Sequence, residues 1–328
     1  MGLPEFEHFE PDTLAEACSL LRKYEGRARV IAGGTDLLNL MRNRLVEPEF
    51  LIDAKGISDL KQMQYDESQG LVIGSGNTLS HLIQSPLIRK KAPLLVAAAK
   101  TVAAPPLQNM GTIGGNVCLN TRCFFYNQSK FWRSSRSNCF KTGGSICHVV
   151  KNGDRCYSVF VADAACALVA LNAGVRLLEG GNERILPLSE FYTGKGENPN
   201  GLRPAEILKE IIIPSDGNWV GCYEKLSPRA SLDFPQIGVA VSLRYDPDRA
   251  IEDMTMVLNA IAPAPVEIKE IRGLLIGKRL DEDRIGKAAQ LALEASHPVD
   301  NTGLSPAYRR KMVRVLVSRA LRKFLPSD

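Results

Sequence analysis

Two glycine-rich stretches decide the fold of this chain: Ala32-Gly33-Gly34-Thr35-Asp36-Leu37-Leu38 and Asn109-Met110-Gly111-Thr112-Ile113-Gly114-Gly115-Asn116. Without a Cβ, glycine lets backbone amides approach an anion, so each stretch is a candidate phosphate-binding loop. Neither stretch fits the Rossmann fingerprint, which requires a third glycine at fixed spacing. A dinucleotide would therefore bind here through a different fold.

The composition is that of a globular protein with about two domains, because 328 residues suffice to bury a large core. Residues 1–13 are acidic and lack the basic and apolar regions of a secretory signal. The longest apolar stretch, Pro93 to Leu107, contains Lys100 and several prolines, which argues against a membrane span. We therefore expect a cytoplasmic protein whose cysteines are reduced thiols, since disulfides are rare in the cytosol.

Hydrophobic periodicity predicts an α+β protein with a domain boundary at the turn residues Pro214-Ser215-Asp216-Gly217-Asn218. A capping box at Thr13 to Glu16 begins the first helix, and Ser305-Pro306 begins the last. Helices are predicted at 13–24, 37–41, 78–84, 93–102, 163–171, 265–276 and 281–295, and strands at 29–32, 51–54, 70–74, 175–179, 184–187, 207–213, 222–226, 238–245 and 254–261.

Four cysteines, Cys123, Cys139, Cys147 and Cys156, lie between the second glycine stretch and the helix predicted at 163. Their spacing, Cys-x15-Cys-x7-Cys-x8-Cys, lacks the Cys-x2-Cys pairs of zinc sites and the compact runs of ferredoxins. Spacing alone leaves a structural zinc ion, an iron-sulfur cluster and unliganded thiols open, with zinc favoured. The segment is also strongly basic, because Asp154 is its one acidic residue.

The two glycine stretches, together with Tyr223-Glu-Lys-Leu-Ser-Pro-Arg229, resemble the FAD-binding subunit of the xanthine dehydrogenase and carbon monoxide dehydrogenase family. The resemblance implies a two-lobed, p-cresol methylhydroxylase-like FAD-binding domain over 1–215, with lobes at about 1–55 and 56–215. It also implies a small C-terminal α+β domain over 219–328. Gln108 departs from the arginine that is common there in the family.

In that family the glycine stretches hold the pyrophosphate of FAD, which we expect to be non-covalent because neither stretch contains histidine. The resemblance further implies that Asp163 belongs to the site and that Lys225 lies near the isoalloxazine ring. The implied FAD-binding residues are Ile31, Ala32, Gly33, Gly34, Thr35, Asp36, Gly111, Thr112, Ile113, Gly114, Gly115, Asn116, Asp163 and Lys225.

The cysteine segment, about 121–160, looks like the insert that distinguishes the 4-hydroxybenzoyl-coenzyme A reductase branch of the family. That resemblance implies a [4Fe-4S] cluster on Cys123, Cys139, Cys147 and Cys156. It also implies a large molybdenum-cofactor subunit and a small subunit with two [2Fe-2S] clusters, assembled as a dimer of heterotrimers. Electrons would enter from ferredoxin or a similar carrier, and the substrate site would lie on the partner subunit.

Other functions remain open from the sequence. The nearest alternative is the FAD subunit of a molybdenum hydroxylase that passes electrons outward, because nothing in the chain fixes the direction of electron flow. A zinc-stabilised nucleic-acid-binding protein would use the basic cysteine segment but leaves the glycine stretches unexplained. A stand-alone flavin oxidase is disfavoured because no candidate acid or base accompanies the glycine motifs.

Overall fold

The computed structural model describes residues 2–215, 217–229 and 233–326. The chain begins with a small parallel sheet whose strand order is β1-β3-β2. Helix α1 begins after Thr13, whose hydroxyl accepts the amide of Glu16, and it packs Cys18 against Ile52 of the sheet. The elements of this lobe are β1 (Glu7–Phe9), α1 (Leu14–Lys23), β2 (Ala28–Ile31), α2 (Leu37–Arg42) and β3 (Phe50–Asp53).

An antiparallel sheet with strand order β4-β5-β10-β6-β7 forms the second lobe, where helices α5 and α9 pack on each other. A 3-10 turn covers Ser58–Lys61 and a second covers Phe140–Thr142. The elements are β4 (Met63–Asp66), β5 (Gly70–Gly74), α3 (Leu79–Gln84), α4 (Pro86–Lys91), α5 (Pro93–Lys100), α6 (Pro105–Met110), α7 (Ile113–Val117), α8 (Lys130–Ser134), α9 (Asp163–Ala170), β6 (Gly174–Glu179), β7 (Asn182–Pro187), α10 (Leu188–Phe191), β8 (Tyr192–Lys195), β9 (Asn198–Asn200) and β10 (Ile207–Ile213).

The C-terminal part is an antiparallel sheet, β11-β12-β13-β14, that is covered on both faces. Val239 and Val241 of β12 share a core with α12 and α13, whereas Ala240 between them joins the core formed by α5 and α9. This alternation fixes the C-terminal sheet against the second lobe. The elements are β11 (Val220–Leu226), β12 (Ile237–Tyr245), β13 (Ile251–Asn259), β14 (Val266–Glu267), α11 (Glu270–Leu275), α12 (Glu282–Ala295) and α13 (Pro306–Arg322).

The mixed α and β architecture predicted from the sequence is confirmed, although the strand predicted from 254 begins at Ile251 and one helix is wrong at its start. The helix predicted from 265 begins at Glu270, because Val266 and Glu267 extend to pair with β13. Pro263 and Pro265 favour extended backbone before them, which disfavours a helix at this point. The predicted boundary at 214–218 falls between β10 and β11, although Asp216 lies outside the described residues. Within the described ranges, no helix has the length and apolar character needed to cross a bilayer.

Candidate cofactor sites

The fold brings the two glycine stretches, distant in sequence, into direct contact. A Cβ on Gly33 would lie 2.0 Å from the carbonyl oxygen of Met110, and one on Gly111 would lie 3.4 Å from Oγ1 of Thr35. Gly34 has a left-handed backbone, with φ of 69°, which strains any residue with a side chain. We call Gly33–Asp36 the first loop and Gly111–Asn116 the second loop.

The first loop offers backbone donors that the protein leaves unused. In the described parts of the chain, the amides of Gly33, Gly34, Thr35 and Asp36 donate to no protein acceptor. Successive free amides at the end of a strand form a concave donor surface suited to an anion. Ile31, at the end of β2, pairs with Asp53 and so anchors this loop to the parallel sheet.

The second loop differs because most of its polar groups are engaged within the protein. The amide of Gly114 donates to the carbonyl of Ser75 at 2.8 Å, and the amide of Gly115 donates to Oγ1 of Thr112 at 3.1 Å. Oδ1 of Asn116 accepts the amide of Ala165, at 3.2 Å, in the first turn of α9. The second loop is therefore a rigid wall beside the first loop.

Asp163 and Lys225, predicted separately, form one buried ion pair. Nζ of Lys225 lies 2.8 Å from Oδ2 of Asp163 and also donates to the carbonyl of Thr101 at 2.8 Å. The hydroxyl of Tyr223 donates to Oδ1 of Asp163 at 2.6 Å and accepts a bond from Asn259. The Asp163 carboxylate makes no capping bond to its own helix, so helix capping does not explain this residue.

Burial dominates the electrostatics of this pair. It raises the pKa of Asp163 to about 6, and the nearby Lys225 ammonium and Tyr223 hydroxyl oppose that rise only in part. Tyr223 was not predicted as a site residue. Its position indicates the role, because residues two apart on a strand share one face and Lys225 was predicted to lie in the site. Gly238 of β12, which is opposite Lys225, leaves space for the Tyr223 hydroxyl, because a Cβ there would lie 2.3 Å from the tyrosine oxygen.

The cysteine segment leaves the second lobe through a closed neck. Arg122 and Val159 exchange two backbone hydrogen bonds of 2.7 Å, and the hydroxyls of Thr121 and Ser158 lie 2.6 Å apart. Directly after the neck, the amide of Phe160 donates to the carbonyl of Ala262, which follows the strand β13 of the C-terminal sheet. The two ends of the segment therefore lie side by side on the second lobe.

The four predicted metal-ligating cysteines line one cavity within this segment. No group of three or more histidine, cysteine or acidic side chains in the described residues is close enough to hold a single metal ion. A single ion must touch all its ligands at about 2.3 Å, whereas the thiolates of a cluster bind separate irons and lie further apart. The remaining walls are mainly apolar, from Phe125, Tyr126, Phe140, Ile146 and Val149.

Hydrogen-bond donors point at the cysteine sulfurs. The amide of Val150 lies 3.4 Å from Sγ of Cys147, and the amide of Ser158 lies 3.5 Å from Sγ of Cys156. Burial nevertheless raises the pKa of Cys123 to about 11. Donors to sulfur stabilise metal-bound thiolates, so this set of groups fits a cluster bound by cysteine.

Lys141 extends from this segment into its neck. Its ammonium donates to the carbonyl of Gly196 at 2.7 Å, to the carbonyl and hydroxyl of Thr121, and to Ser158 at 3.3 Å. In the described part of the chain, no carboxylate pairs with it. Burial lowers the pKa of Lys141 to about 8, while Cys156, Cys123 and Cys139 act in the opposite direction.

Arg122 connects the cysteine segment to the first loop. Its Nη2 pairs with Oδ1 of Asp36, and its guanidinium lies 4.6 Å from the ring centre of Phe234. Arg122 and Lys141 were predicted only as part of the basic charge of the segment, because the sequence does not distinguish them from its other basic side chains. The other four cysteines lie outside the cavity; Cys18, Cys166 and Cys222 are buried in hydrophobic cores, as their apolar surroundings predict.

Comparison with known proteins identifies a flavoprotein subunit of the molybdenum-dependent dehydrogenases. Residues 4–216 match the family described as FAD binding domain in molybdopterin dehydrogenase, and residues 222–324 match the carbon monoxide dehydrogenase flavoprotein C-terminal domain. The chain belongs to this family of FAD-binding medium subunits, whose members are oxidoreductase subunits.

Named relatives agree in architecture over nearly the whole chain. The carbon monoxide dehydrogenase medium chain of Hydrogenophaga pseudoflava is 28% identical over 320 residues, covering 97% of this chain and 96% of the relative. The nicotinate dehydrogenase FAD-subunit of Eubacterium barkeri is 25% identical and covers 95% and 93%, respectively. A structure of carbon monoxide dehydrogenase from H. pseudoflava superposes with a TM-score of 0.81 at 26% identity, covering 98% of both chains.

Proposed function

We propose that this chain binds FAD non-covalently across its two glycine loops and transfers electrons within a molybdenum hydroxylase complex. The observation that carries this proposal is the row of unused amides at Gly33–Asp36, the donor arrangement that a pyrophosphate requires. When bound, FAD supplies the exchange of electrons between two-electron and one-electron partners. The chain holds the cofactor and contributes no substrate site of its own.

The ion pair on the C-terminal side has a positioning role in this proposal. By the resemblance, Lys225 lies near the isoalloxazine ring, where Asp163 and the Thr101 carbonyl fix the position of its ammonium. Asn116 ties the second loop to α9, which carries Asp163. The phosphate end and the ring end of the cofactor site are therefore held by one continuous set of packed elements.

We further propose that Cys123, Cys139, Cys147 and Cys156 ligate a [4Fe-4S] cluster. The proposal is supported by their position around one cavity, by the donors to their sulfurs and by the resemblance of the segment to a cluster-bearing insert. A partly buried cation, Lys141, offsets part of the negative charge that four thiolates bring. The cluster would give the flavin a second one-electron partner.

The decisive measurement is the iron, sulfide, zinc and flavin content of the protein purified without oxygen. We expect one FAD with about four iron and four sulfide, the stoichiometry of one cubane cluster. Zinc in place of iron would reject the cluster while leaving the flavin assignment intact. Absence of flavin after reconstitution with FAD would reject the main proposal.

Matched cysteine variants test the ligands. Cys139→Ala is expected to abolish the iron and its visible absorption but to leave FAD bound, since Cys139 lies in the segment and outside the glycine loops. Cys18→Ala, the same change in the core under α1, is expected to keep both cofactors. Full iron content in Cys139→Ala would show that the ligand set is wrong.

The relatives favour electron flow out of the molybdenum-cofactor subunit, as in a dehydrogenase or hydroxylase. Those named above are carbon monoxide dehydrogenase and nicotinate dehydrogenase, whose names describe oxidation of the substrate. We therefore propose that electrons pass outward from a molybdenum-cofactor subunit, through a small subunit with two [2Fe-2S] clusters, to this chain. A dimer of such heterotrimers is the proposed assembly.

A reductase of an aromatic acyl-coenzyme A, with electrons flowing inward from ferredoxin, is the second candidate. The cysteine cavity favours it, because the insert is the feature that resembles that branch.

For either direction of electron flow, we propose that a carrier protein docks on a basic groove that extends from Arg44 along α8 to Cys139. An acidic carrier fits this groove, and its rate of electron exchange is expected to fall as ionic strength rises. Rates that do not depend on salt would contradict such docking.

A further inference from the structure

Arg122 stands at the junction of the cysteine segment and the flavin domain, and nothing in the proposed FAD site yet accounts for it. It directly precedes Cys123, and its backbone closes the neck by pairing with Val159. Its side chain turns towards the first loop, where Nη2 pairs with the carboxylate of Asp36. One residue thus contacts both regions.

The Asp36 carboxylate presents an electrostatic problem for a phosphate-binding loop. It belongs to the loop whose amides are free, and a carboxylate next to a pyrophosphate is repulsive. Arg122 offsets that charge, and both side chains are only about a fifth exposed, at 21% and 22%. Partial burial makes both the repulsion and its compensation stronger than they would be in water.

The guanidinium also retains unused donor capacity. Among the described residues, Nη2 is engaged by Asp36 and Nη1 has no hydrogen-bond partner, whereas Nε is enclosed by protein atoms. Arginine is the side chain best suited to phosphate oxygens, because its planar guanidinium presents several donors. The ring of Phe234 lies against the guanidinium and holds its plane.

We propose that Arg122 is an FAD-binding residue, which holds Asp36 through Nη2 and donates to the FAD pyrophosphate through Nη1. The proposal rests on FAD binding at the first loop and does not require the metal cluster. It makes a residue of the neck part of the flavin site, so that the loop holding the pyrophosphate and the ligand Cys123 are linked through one side chain.

The test is the equilibrium dissociation constant of FAD, measured by fluorescence quenching on apoprotein. Arg122→Gln is expected to weaken FAD binding roughly tenfold or more, as for the loss of one charged hydrogen bond. Arg122→Lys, which keeps the charge but loses the planar donors, is expected to recover part of the loss. Arg155→Gln is the matched control, because Arg155 is also in the cysteine segment with an unpartnered Nε but pairs with Asp154.

A double variant separates ligand contact from charge compensation. If Arg122 served only to neutralise Asp36, then Asp36→Asn together with Arg122→Gln would restore the wild-type affinity, and the proposal would be wrong. A double variant that remains weakened supports direct contact. An Arg122→Gln variant with unchanged affinity also overturns it, whereas wild-type apoprotein that fails to bind FAD would refute the proposed function itself.

Cluster loss must be kept apart from this effect, because Arg122 neighbours Cys123. Iron is therefore measured in each variant, and Cys139→Ala gives the FAD affinity of a protein without the cluster. A weakening in Arg122→Gln beyond that of Cys139→Ala supports the contact. A weakening equal to that of Cys139→Ala would assign the effect to the cluster and overturn the proposal.

Discussion

The C-terminal sheet and the cysteine segment each carry a largely enclosed lysine, and the two lysines differ in their counter-charge. Lys225 of β11 lies 2.8 Å from the carboxylate of Asp163, with the Thr101 carbonyl as its second acceptor. Among the described residues, the hydrogen-bond acceptors of Lys141 are neutral oxygens, from residues such as Gly196 and Ser158, with the cysteine sulfurs beyond them. The first ammonium is neutralised by the fold and the second is not.

The counter-charges of the two lysines indicate which region is electrostatically balanced without a cofactor. A charge taken out of water needs an opposite charge nearby, because its desolvation otherwise costs several kcal/mol. The fold supplies that charge to Lys225, whereas the thiolates of the cysteine cavity are the nearest source for Lys141. We therefore expect Lys141 to depend on the proposed metal cluster, and the cluster to depend on Lys141.

The largest expected effect is the loss of the cluster in Lys141→Met. This change removes the cation while preserving most of the unbranched side chain, so most of the iron should be absent after anaerobic purification. Lys141→Arg is expected to retain iron because it retains the charge. Lys225→Met, the matching change on β11, is expected to keep its iron, and equal iron loss in both lysine variants would refute the comparison.

Lys225→Met should instead destabilise the fold. At pH 8, where Asp163 is ionised, removal of its cation leaves a buried carboxylate unpaired, and the expected loss is about 3 to 5 kcal/mol in the free energy of unfolding. Adding Asp163→Asn should recover a large part of that loss. Urea unfolding of the apoproteins measures both, and a double variant no more stable than Lys225→Met would contradict the pairing.

The pH dependence of stability gives the next effect. The pKa of Asp163 is raised to about 6 in the folded protein, so this carboxyl favours folding below pH 4 and loses that contribution as the pH rises through 6. Lys225, Tyr223 and Cys166 are the titratable groups around it. Relative to Asp163→Asn, wild-type apoprotein should lose roughly 2 kcal/mol between pH 4 and pH 7. Parallel profiles for the two proteins would contradict the raised pKa.

The same contrast explains what the sequence could predict. Strands such as Gly70–Gly74 and Ile207–Ile213 were predicted with their observed bounds, because short runs rich in β-branched and apolar residues favour strands. The pairing of Asp163 with Lys225 was not predicted, since it depends on how α9 packs on the C-terminal sheet. The resemblance named both residues without indicating that they touch.

The cysteine segment was harder to predict for a physical reason. It has one short α-helix, Lys130–Ser134, and one 3-10 turn, and its polar side chains bind distant backbone groups. Such contacts leave no periodic pattern in the sequence. The cysteines could be identified from their residue type and number. The roles of Lys141 and Arg122 depend on contacts that only the fold creates, with Thr121 in the neck and with Asp36.

The smallest expected effect concerns the exposed ion pair that joins the two regions. Nζ of Lys130 lies 3.0 Å from Oε1 of Glu47, and the two side chains are 66% and 41% exposed. The hydrogen bond from Lys130 lowers the pKa of Glu47, but water screens the pair. Glu47→Gln should therefore cost less than about 1 kcal/mol in urea unfolding and leave iron content unchanged. A larger loss would mean that contact between the segment and the first lobe, rather than the charge of Lys141, holds the cysteine cavity in place.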